Sequence, residues 1–458
     1  MLNLKVNNFI NSKKLLYFLA GTTILIFAYN IYVYDPLYGY DARDHYYYID
    51  YFAMYLPDKI NLPSIEDSKE FFSPPLPYIV PSFVIVFCRN IIESSNYVED
   101  CRPSLALITQ IFQTFMFFGT LFIYSKIIKK MYKDIKFSHF LLIVLLLTVN
   151  YRTFLMIRGE PYIIFFQALC LMIVYNFLLS EKKADVKNFI FLGVLIGLIG
   201  LSKQWGFLLF PSYFFLYFYL KNKDIRKNYL KFLLLAFFIG FIICGWFYIG
   251  LLLDYGSFTA FNKEPTPFRF DNQPLSFYFS FELNDLLFKN PIRPNFDNQL
   301  FPILYSDLWG DYWGYFSFIL KGWEYGRFQP TVGAYLGRVN LVSMFPTFLL
   351  ILGTIFSFKK IVKTKKNTQD IFQIFVLFSS LITFVGYLWF LIKYPEKPSG
   401  DTIKATYVIQ LFHLMVFMCF DYLNELKKKN ERVYNMIFIL LFLIYLHNIP
   451  AMVTNYLK

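Results

Sequence analysis

The feature that most constrains this chain is a series of apolar runs of membrane-span length, which recur from residue 15 to residue 453. A run of about 20 apolar residues is long enough to cross the hydrocarbon core of a bilayer as a helix. Only helices and closed barrels satisfy backbone hydrogen bonds in lipid, and these runs are too long and too uniformly apolar for barrel strands. The sequence therefore predicts an all-α polytopic membrane protein.

Composition agrees with this prediction and excludes several other classes. Only 16% of the 458 residues are charged, whereas soluble domains carry about 25%. The net charge of +13 has no basic stripe on a polar domain, so we expect no nucleic-acid partner. The five cysteines form no CxxC motif and no Cys/His cluster, which argues against a zinc or iron–sulfur site. We interpret the lysine-flanked N-terminal run as an uncleaved first helix.

The distribution of basic residues predicts the topology. The stretch 76–92 offers only about a dozen apolar residues beyond Pro81, so we interpret it as an external in-plane helix and not as a span. Basic clusters at 126–136, 182–187, 221–231, 359–366 and 427–432 then join the N-terminal lysines on the cytoplasmic face, as the positive-inside rule requires. The predicted spans, eleven in all, are 15–34, 104–125, 137–156, 161–180, 188–202, 206–220, 232–253, 340–358, 371–392, 404–423 and 435–453.

This topology divides the chain into three consecutive segments. Residues 1–253 form a membrane catalytic module with a first external loop at 35–103, residues 254–339 form a second large external loop, and residues 340–458 form the C-terminal membrane helices. Cys88 and Cys101 are both predicted to be external, where an oxidising compartment would allow a disulfide. Two free thiols are an equally good expectation from the sequence.

Many polar residues at span ends are predicted to lie on the external face. Ionisable residues at membrane depth are functional candidates by default, although each one alone could be a solvated loop charge. We interpret the tyrosines around residues 39–53 as anchors at the membrane interface. The polar set comprises Asp41, Asp44, His45, Arg102, Arg158, Glu160, Lys203, Gln204, Asp307, Asp311, Lys393, Lys397, Asp401 and Lys404.

The chemistry of this set favours transfer of a group from a lipid phosphate to an alcohol. A carboxylate can act as general base toward a hydroxyl, and cations such as Arg158 and Lys203 suit a phosphate head group. His45, Glu160 and Asp307 are candidate substrate-binding residues, and Trp309 could stack on a sugar ring or anchor the loop at the interface. Motifs of serine hydrolases and of nucleotide-binding loops are missing from the sequence.

Several motifs in order resemble the C-type integral-membrane glycosyltransferases (GT-C), near the Rgt-type and protein O-mannosyltransferase-like (aminoarabinose transferase-like) members. The resemblance rests on Tyr40-Asp41 through Ala53, on Ser73-Pro74-Pro75-Leu76-Pro77-Tyr78, on Arg102-Pro103-Ser104, on Gly200 to Gly206 with Pro211, and on Lys404-Ala405-Thr406-Tyr407. It covers the first 210 residues well and the C-terminal third loosely.

The resemblance implies a GT-C-like bundle with a periplasmic or lumenal active site and a polyprenyl-phosphate sugar donor. It implies that Asp41 is the catalytic base, although Ala42 follows where many members have an adjacent second acid, so Asp44 stays an alternative. Arg102 and Lys404 match positions near the donor phosphate, and Tyr407 belongs to the same late element.

We therefore expect an inverting glycosyltransferase that modifies a hydroxyl of a glycan, lipid or protein. The expected location is the bacterial inner membrane, with the N-terminus in the cytoplasm and the active site on the periplasmic side. No cofactor is predicted, and a divalent metal finds no support because no two carboxylates fall at convincing ligand spacing. The alternatives are a transporter or flippase of lipid-linked saccharide, or a polysaccharide polymerase or ligase, but the sequence shows no internal repeat typical of transporters.

Overall fold

The computed structural model describes most of the chain. The described residues are 8–37, 39–92, 97–132, 136–180, 185–220, 222–317, 329–397 and 399–454. Several residues used for the topology lie outside this part: Lys5, Lys133, Lys182, Lys183, Lys221 and the stretch 318–328 of the predicted second loop.

The described residues form α-helices, short 3-10 helices and connecting segments, and none of them lies in a strand. The α-helices are α1 Lys13–Val33, α2 Ala42–Tyr55, α3 Leu76–Ile91, α4 Tyr97–Met131, α5 Phe137–Leu146, α6 Val149–Thr153, α7 Glu160–Ser180, α8 Val186–Ser202, α9 Pro211–Tyr219, α10 Lys223–Tyr255, α11 Leu275–Phe279, α12 Leu283–Phe288, α13 Leu300–Trp309, α14 Gln329–Ile361, α15 Thr368–Lys393, α16 Ile409–Lys429 and α17 Glu431–Met452. The 3-10 helices are Gln204–Leu209, Phe270–Asn272 and Ala405–Val408.

Eight helices in the described part of the chain are long and apolar enough to cross a membrane. They are α1, α4, α7, α10, α14, α15, α16 with its preceding 3-10 turn, and α17. Each of them matches one of the predicted spans. The prediction of an all-α, multi-pass membrane protein is therefore confirmed, and the lipid bilayer is the environment that these helices require.

Three predicted spans form shorter or interrupted helices, so the count of eleven spans stays a prediction. The segment 137–156 is divided into α5 and α6, 188–202 corresponds to the 17-residue α8, and 206–220 is divided between a 3-10 helix and the nine-residue α9. Pro211 occupies the first turn of α9, where its missing N–H costs nothing. The predicted in-plane segment forms the 16-residue α3.

The chain folds into two compact units, each discontinuous in sequence. Unit 1 contains Met1–Val33, Tyr124–Arg152 and Pro265–Lys458, and unit 2 contains Tyr34–Ile123 and Thr153–Glu264. In unit 1, α16 is the most enclosed of the long helices, and most of its side chains are buried. Lys360 of α14 lies 3.1 Å from Asp370 of α15 and 2.6 Å from Asp421 of α16, so these buried charges compensate one another.

Small residues let α8 and α10 of unit 2 pack closely. A Cβ atom on Gly193 would lie 2.7 Å from the carbonyl oxygen of Ala236, and one on Gly197 would lie 2.7 Å from Cβ of Ile243. Small residues allow this close backbone approach between membrane helices. This close packing holds the end of α8 in place, and with it Lys203, the residue that follows α8.

The first polar region of unit 2 is built from α2 and α3. Their buried core includes Tyr48, Phe52, Tyr78 and Ile85. A disulfide joins Cys88 near the end of α3 to Cys101 near the start of α4. The sequence had left this pair open between a disulfide and two free thiols.

Candidate functional site

The predicted site residues divide between the two units. Unit 2 holds seven of them: Asp41, Asp44, His45, Arg102, Arg158, Glu160 and Lys203. Unit 1 holds the other four: Asp307, Trp309, Lys404 and Tyr407.

Asp41 lies at the N-cap of α2 in a left-handed backbone conformation, with φ 46° and ψ 15°. Its carbonyl oxygen accepts hydrogen bonds from the backbone N–H groups of Asp44 and His45, which starts the helix. Left-handed backbone is uncommon for a residue with a side chain, and Asp and Asn tolerate it best after glycine. The side chain of Asp41 is exposed. A strained backbone that presents an exposed carboxylate is typical of functional sites.

The loop before α3 carries a buried carboxylate, Glu70, that the sequence analysis had not singled out. Ser68 holds this loop against the first turn of α2, because its hydroxyl donates to the carbonyl oxygen of Asp44 (2.8 Å) and accepts from the N–H of Glu70 (3.1 Å). Glu70 is only 5% exposed. A buried carboxylate requires charged or hydrogen-bonding partners.

Lys203 and Ser73 supply those partners. Nζ of Lys203 lies 3.1 Å from Oε2 of Glu70 and 2.7 Å from Oγ of Ser73, and Ser73 donates its own hydrogen bond to Glu70. Lys203 follows directly on the last residue of α8, where the negative end of a helix dipole also favours a cation. Nζ lies 5.5 Å from the ring centroid of Phe72.

His45 extends this network into the core of α2 and α3. Its Nδ1 lies 2.7 Å from the hydroxyl of Tyr78 and 3.7 Å from Oε2 of Glu70. Its Nε2 is buried and makes no hydrogen bond to the described residues. His45 itself is 1% exposed. A substrate therefore cannot meet this ring directly from solvent unless the surrounding side chains move.

Burial and neighbouring charges determine the ionisation of these groups. Burial lowers the pKa of His45 to about 4, against the partial opposing effect of Glu70, so the ring is neutral near pH 7. Burial alone would raise the pKa of Glu70, but the positive charge of Lys203 holds it below its ordinary value. Burial raises the pKa of Asp44, and the negative charge of Asp41 adds to this effect. The network thus contains an ionised Glu70 beside a neutral His45.

Arg158 and Glu160 form a second buried ion pair in unit 2. Nε of Arg158 lies 3.3 Å from Oε2 of Glu160, and the guanidinium lies 5.2 Å from the ring centroid of Tyr40. Glu160 begins α7, where a carboxylate interacts favourably with the positive end of the helix.

A glycine brings the two buried pairs together. A Cβ atom on Gly159 would lie 2.0 Å from the carbonyl oxygen of Ser202, which is too close for any side chain. The loop that carries Arg158 and Glu160 therefore lies directly against the end of α8, next to Lys203. We call Asp41, His45, Glu70, Ser73, Arg158, Glu160 and Lys203 the acidic-loop cluster, and Asp41 is included because it begins the helix that carries His45. That these residues form a functional site stays a prediction.

Arg102 differs from Arg158 and Lys203 in that its ion pair is partly exposed. Its guanidinium lies 3.3 Å from the carboxylate of Asp35, and both side chains are partly exposed, at 42% and 34%. Neither is part of the acidic-loop cluster by any described contact. Arg102 is the most exposed of the three unit 2 cations that the sequence assigned to a phosphate group.

The unit 1 candidates lie around a second buried carboxylate, Asp307. Its Oδ2 accepts a 2.6 Å hydrogen bond from the N–H of Ala405, and its Oδ1 lies 2.9 Å from the guanidinium of Arg152. Arg152, which the sequence analysis had not listed, also donates to the carbonyl oxygen of Gly310. Asp307 therefore holds the start of the element that carries Lys404, and its assignment to substrate stays a prediction.

Lys404, Tyr407 and Trp309 are all buried in unit 1. Nζ of Lys404 lies 3.4 Å from the hydroxyl of Tyr407 and 3.8 Å from the carboxylate of Asp401. Its backbone N–H donates to the hydroxyl of Tyr387. Trp309 is 1% exposed, so its ring packs inside the protein. The predicted roles of these residues toward phosphate and sugar stay predictions.

Comparison with known proteins adds no relative. No protein-family model, curated protein or solved structure matches this chain. In the part of the chain that the structure describes, no group of three or more His, Cys, Asp and Glu side chains could hold a metal ion. The proposed function therefore depends on the residues of the site and their geometry.

Proposed function

We propose that this protein is an inverting glycosyltransferase that moves a sugar from a polyprenyl-phosphate donor to a hydroxyl acceptor on a glycan, lipid or protein. The observation that supports it best is Asp41, the exposed member of the acidic-loop cluster, whose backbone has a left-handed conformation at the start of α2. A base must be able to reach its substrate, and Asp41 is the most exposed acid of the cluster. Asp44 is partly buried, which makes it the second choice.

The proposed reaction is a single displacement at the anomeric carbon. Asp41 accepts the proton of the acceptor hydroxyl as its oxygen forms a bond to that carbon. The bond from the carbon to the phosphate oxygen breaks, and the phosphate leaves with the electron pair. A cation near the leaving oxygen lowers the barrier because negative charge develops there.

The cations of unit 2 differ in their ability to serve that role. Lys203 and Arg158 each have a buried carboxylate partner, Glu70 and Glu160, so much of their charge is already compensated. Arg102 is partly exposed and has a partly exposed partner, which makes it the first candidate for the donor phosphate in this unit. Lys404 of unit 1 is a candidate on its charge and on the resemblance stated above.

The remaining cluster residues are assigned to positioning. His45 and Glu160 are 1% and 0% exposed, so we propose that they hold the surroundings of Asp41 and do not touch substrate. The Cys88–Cys101 disulfide lies in the same unit and supports an extracytoplasmic, oxidising location for the cluster. A bacterial inner membrane with a periplasmic site is the location that fits this proposal.

The decisive experiment is sugar transfer by purified protein in lipid nanodiscs, with a labelled polyprenyl-phosphate sugar and a panel of hydroxyl acceptors. We expect transfer by the parent protein and loss of at least a hundredfold with Asp41→Asn, because general base catalysis contributes about 10²–10⁴ in rate. Asp58→Asn changes another exposed aspartate nearby and should retain activity. Arg102→Gln should mainly raise KM for the donor.

Two results would contradict this proposal. Full activity in Asp41→Asn, with loss in Asp44→Asn, would move the base to Asp44. No transfer by the parent protein, combined with movement of the labelled donor across sealed vesicles, would replace the enzyme with a transporter of lipid-linked saccharide.

A further inference from the structure

Part of the predicted second external loop exposes an unusual density of apolar side chains. The stretch 266–288 of unit 1 contains the 3-10 helix Phe270–Asn272 and the short helices α11 and α12. Soluble surfaces rarely expose contiguous apolar patches of this kind unless they bind a partner or a membrane. The exposed residues are Phe268 at 44%, Phe270 at 65%, Leu275 at 78%, Phe279 at 74%, Phe281 at 49%, Leu283 at 57% and Phe288 at 61%; we call them the loop apolar patch.

The helices that carry this patch are folded against the protein on their other side. Phe277 of α11 is fully buried. Leu286 and Leu287 of α12 are buried as well, and the carbonyl oxygen of Leu286 accepts a 3.0 Å hydrogen bond from Asn340 of α14. The patch is thus the outward face of ordered amphipathic segments, so its exposure is a feature of the fold.

The position of the patch relative to a membrane span is fixed by hydrogen bonds to the last residues of α15. Thr266 donates to the carbonyl oxygen of Lys393 through both its N–H (2.9 Å) and its hydroxyl (3.0 Å). Asn272 donates to the carbonyl oxygen of Ile392, and Gln273 to that of Leu391. The stretch 266–273 is therefore attached to the end of a helix that is long and apolar enough to cross the bilayer.

The end of α15 carries residues typical of the membrane interface. Trp389 is 44% exposed, and Nζ of Lys393 lies 5.0 Å from its ring centroid. Tryptophan prefers the headgroup depth, and a lysine at a span end can place its charge in the headgroup region. Val385, one turn earlier in the span, is 61% exposed. These exposed side chains belong to the helix whose last residues accept the hydrogen bonds from 266–273.

We propose that the loop apolar patch lies in the interfacial layer of the bilayer and binds the lipid surface beside the end of α15. The helices are too short to span, and their polar groups suit a headgroup environment. Arg269 and Asp271 form an exposed ion pair between Phe268 and the following aromatics, which the interface tolerates and the hydrocarbon centre does not. This inference is independent of the proposed enzymatic function.

The consequence is a second attachment to the membrane for a loop that the sequence predicted to be external. An amphipathic segment whose apolar face is buried in the headgroup boundary binds in proportion to its apolar area. Lipid contact along 266–288 keeps this part of the loop at the membrane surface, where a lipid-linked molecule would be found. If the same side chains faced water, their exposed apolar surface would be unfavourable in free energy.

Spin-label accessibility tests this inference directly. A nitroxide is attached to Leu275→Cys or Phe279→Cys in nanodiscs, and its collisions with oxygen, which partitions into lipid, are compared with those of a water-soluble nickel chelate. Val385→Cys is the reference inside the span, and Asp297→Cys is a control at an exposed polar position of the same predicted loop. The free native cysteines Cys170, Cys244 and Cys419 are buried, and labelling of the parent protein gives the background.

The expected order of the oxygen-to-nickel ratio is Val385 first, then positions 275 and 279, then Asp297. We expect the ratio at 275 and 279 to exceed that at Asp297 severalfold. A ratio equal to that at Asp297 would overturn the proposal, because the patch would then face water. Shielding of 275 and 279 from both reagents would overturn it as well, since a protein surface would then cover the patch.

Discussion

Lys203 and Glu70 are 133 positions apart in sequence and form a buried ion pair at 3.1 Å, with Ser73 bonded to both. The pair connects the end of α8 with the loop that precedes α3. Each charge is stable in this buried place because the other is present. The loop therefore depends on α8 for its conformation. This loop packs against α2, which begins at Asp41 and carries His45.

Removal of the Glu70 charge should destabilise the protein strongly. Glu70→Gln leaves the Lys203 ammonium buried without its carboxylate, and breaking such a pair costs about 3–5 kcal/mol. Thermal unfolding in detergent, followed by the loss of monodisperse protein, measures the effect. Glu66→Gln changes an exposed glutamate of the same loop and should leave the unfolding temperature near that of the parent.

A double-mutant cycle separates this pair from a general effect of loop substitution. Lys203→Met combined with Glu70→Gln removes both charges, so the double variant should be more stable than the sum of the two single losses predicts. Equal unfolding temperatures for Glu70→Gln and Glu66→Gln would show that the buried pair contributes nothing.

His45 makes stability dependent on pH. Burial lowers its pKa to about 4 in the folded protein, against about 6.5 in an unfolded chain. Between these values the unfolded chain binds more protons, so stability falls as pH falls, by at most about 1.4 kcal/mol per pH unit. The depressed pKa of Glu70 acts in the same direction at lower pH.

Unfolding temperatures at pH 7 and pH 5 test this dependence. His45→Gln has no imidazole to protonate, so its unfolding temperature should fall less than that of the parent over this interval. His447→Gln replaces a partly exposed histidine of unit 1 and serves as the control. An identical loss of stability in the parent and in His45→Gln would exclude His45 as the source.

Hydropathy predicted the long helices well because the need to satisfy backbone groups in lipid is a local property of each run. It did not predict the interruption between α5 and α6. There the side chain of Asn150 donates to the carbonyl oxygen of Val144, and Thr148 donates to that of Leu308, which lies 160 positions away. Such a break depends on a distant partner and leaves no clear pattern in the apolar run itself.

The candidate site could be predicted only in part, again because contacts between residues far apart in the sequence leave no local pattern. Asp41, His45, Arg158 and Lys203 are polar residues at the ends of apolar runs, so topology alone could bring them to one face. Glu70 stands in a charged stretch that reads as a solvated loop, and its neighbours Glu66 and Lys69 are in fact exposed. The signal for Arg152 was present, because a charged residue inside a predicted span is a candidate by default.

Gly159 should tolerate no side chain. A Cβ atom there would lie 2.0 Å from the carbonyl oxygen of Ser202, so Gly159→Ala must push the Arg158–Glu160 loop away from the end of α8. We expect a loss of at least about 1–3 kcal/mol, as for other overpacking substitutions, together with a loss of activity. Thermal unfolding and the transfer assay measure the two effects.

Gly250→Ala is the matched control in the same unit. It lies within α10, and an added Cβ would meet nothing within 4 Å. Alanine has the higher helix propensity, by about 1 kcal/mol in soluble hosts, so this variant should be as stable as the parent or more so. If Gly159→Ala unfolds at the same temperature as Gly250→Ala, the loop does not lie as close to the end of α8 as this distance requires.

The backbone of Asp41 allows its conformation and its carboxylate to be tested separately. At φ 46° a Cβ costs about 1–2 kcal/mol unless the side chain tolerates the left-handed region, as Asn does, or is missing, as in Gly. Asp41→Asn and Asp41→Gly should therefore unfold near the parent temperature, whereas Asp41→Ala should be less stable by about 1 kcal/mol. All three should lose sugar transfer, because none retains the carboxylate.

The same series at Asp44, which lies inside α2, is the control for backbone conformation. It should show the opposite order of stability, with the Ala variant more stable than the Gly variant by about 1 kcal/mol. An Asp41 series in which Ala is the most stable variant would contradict the left-handed start of α2, and transfer by Asp41→Gly at the parent rate would remove Asp41 from the reaction whatever its backbone does.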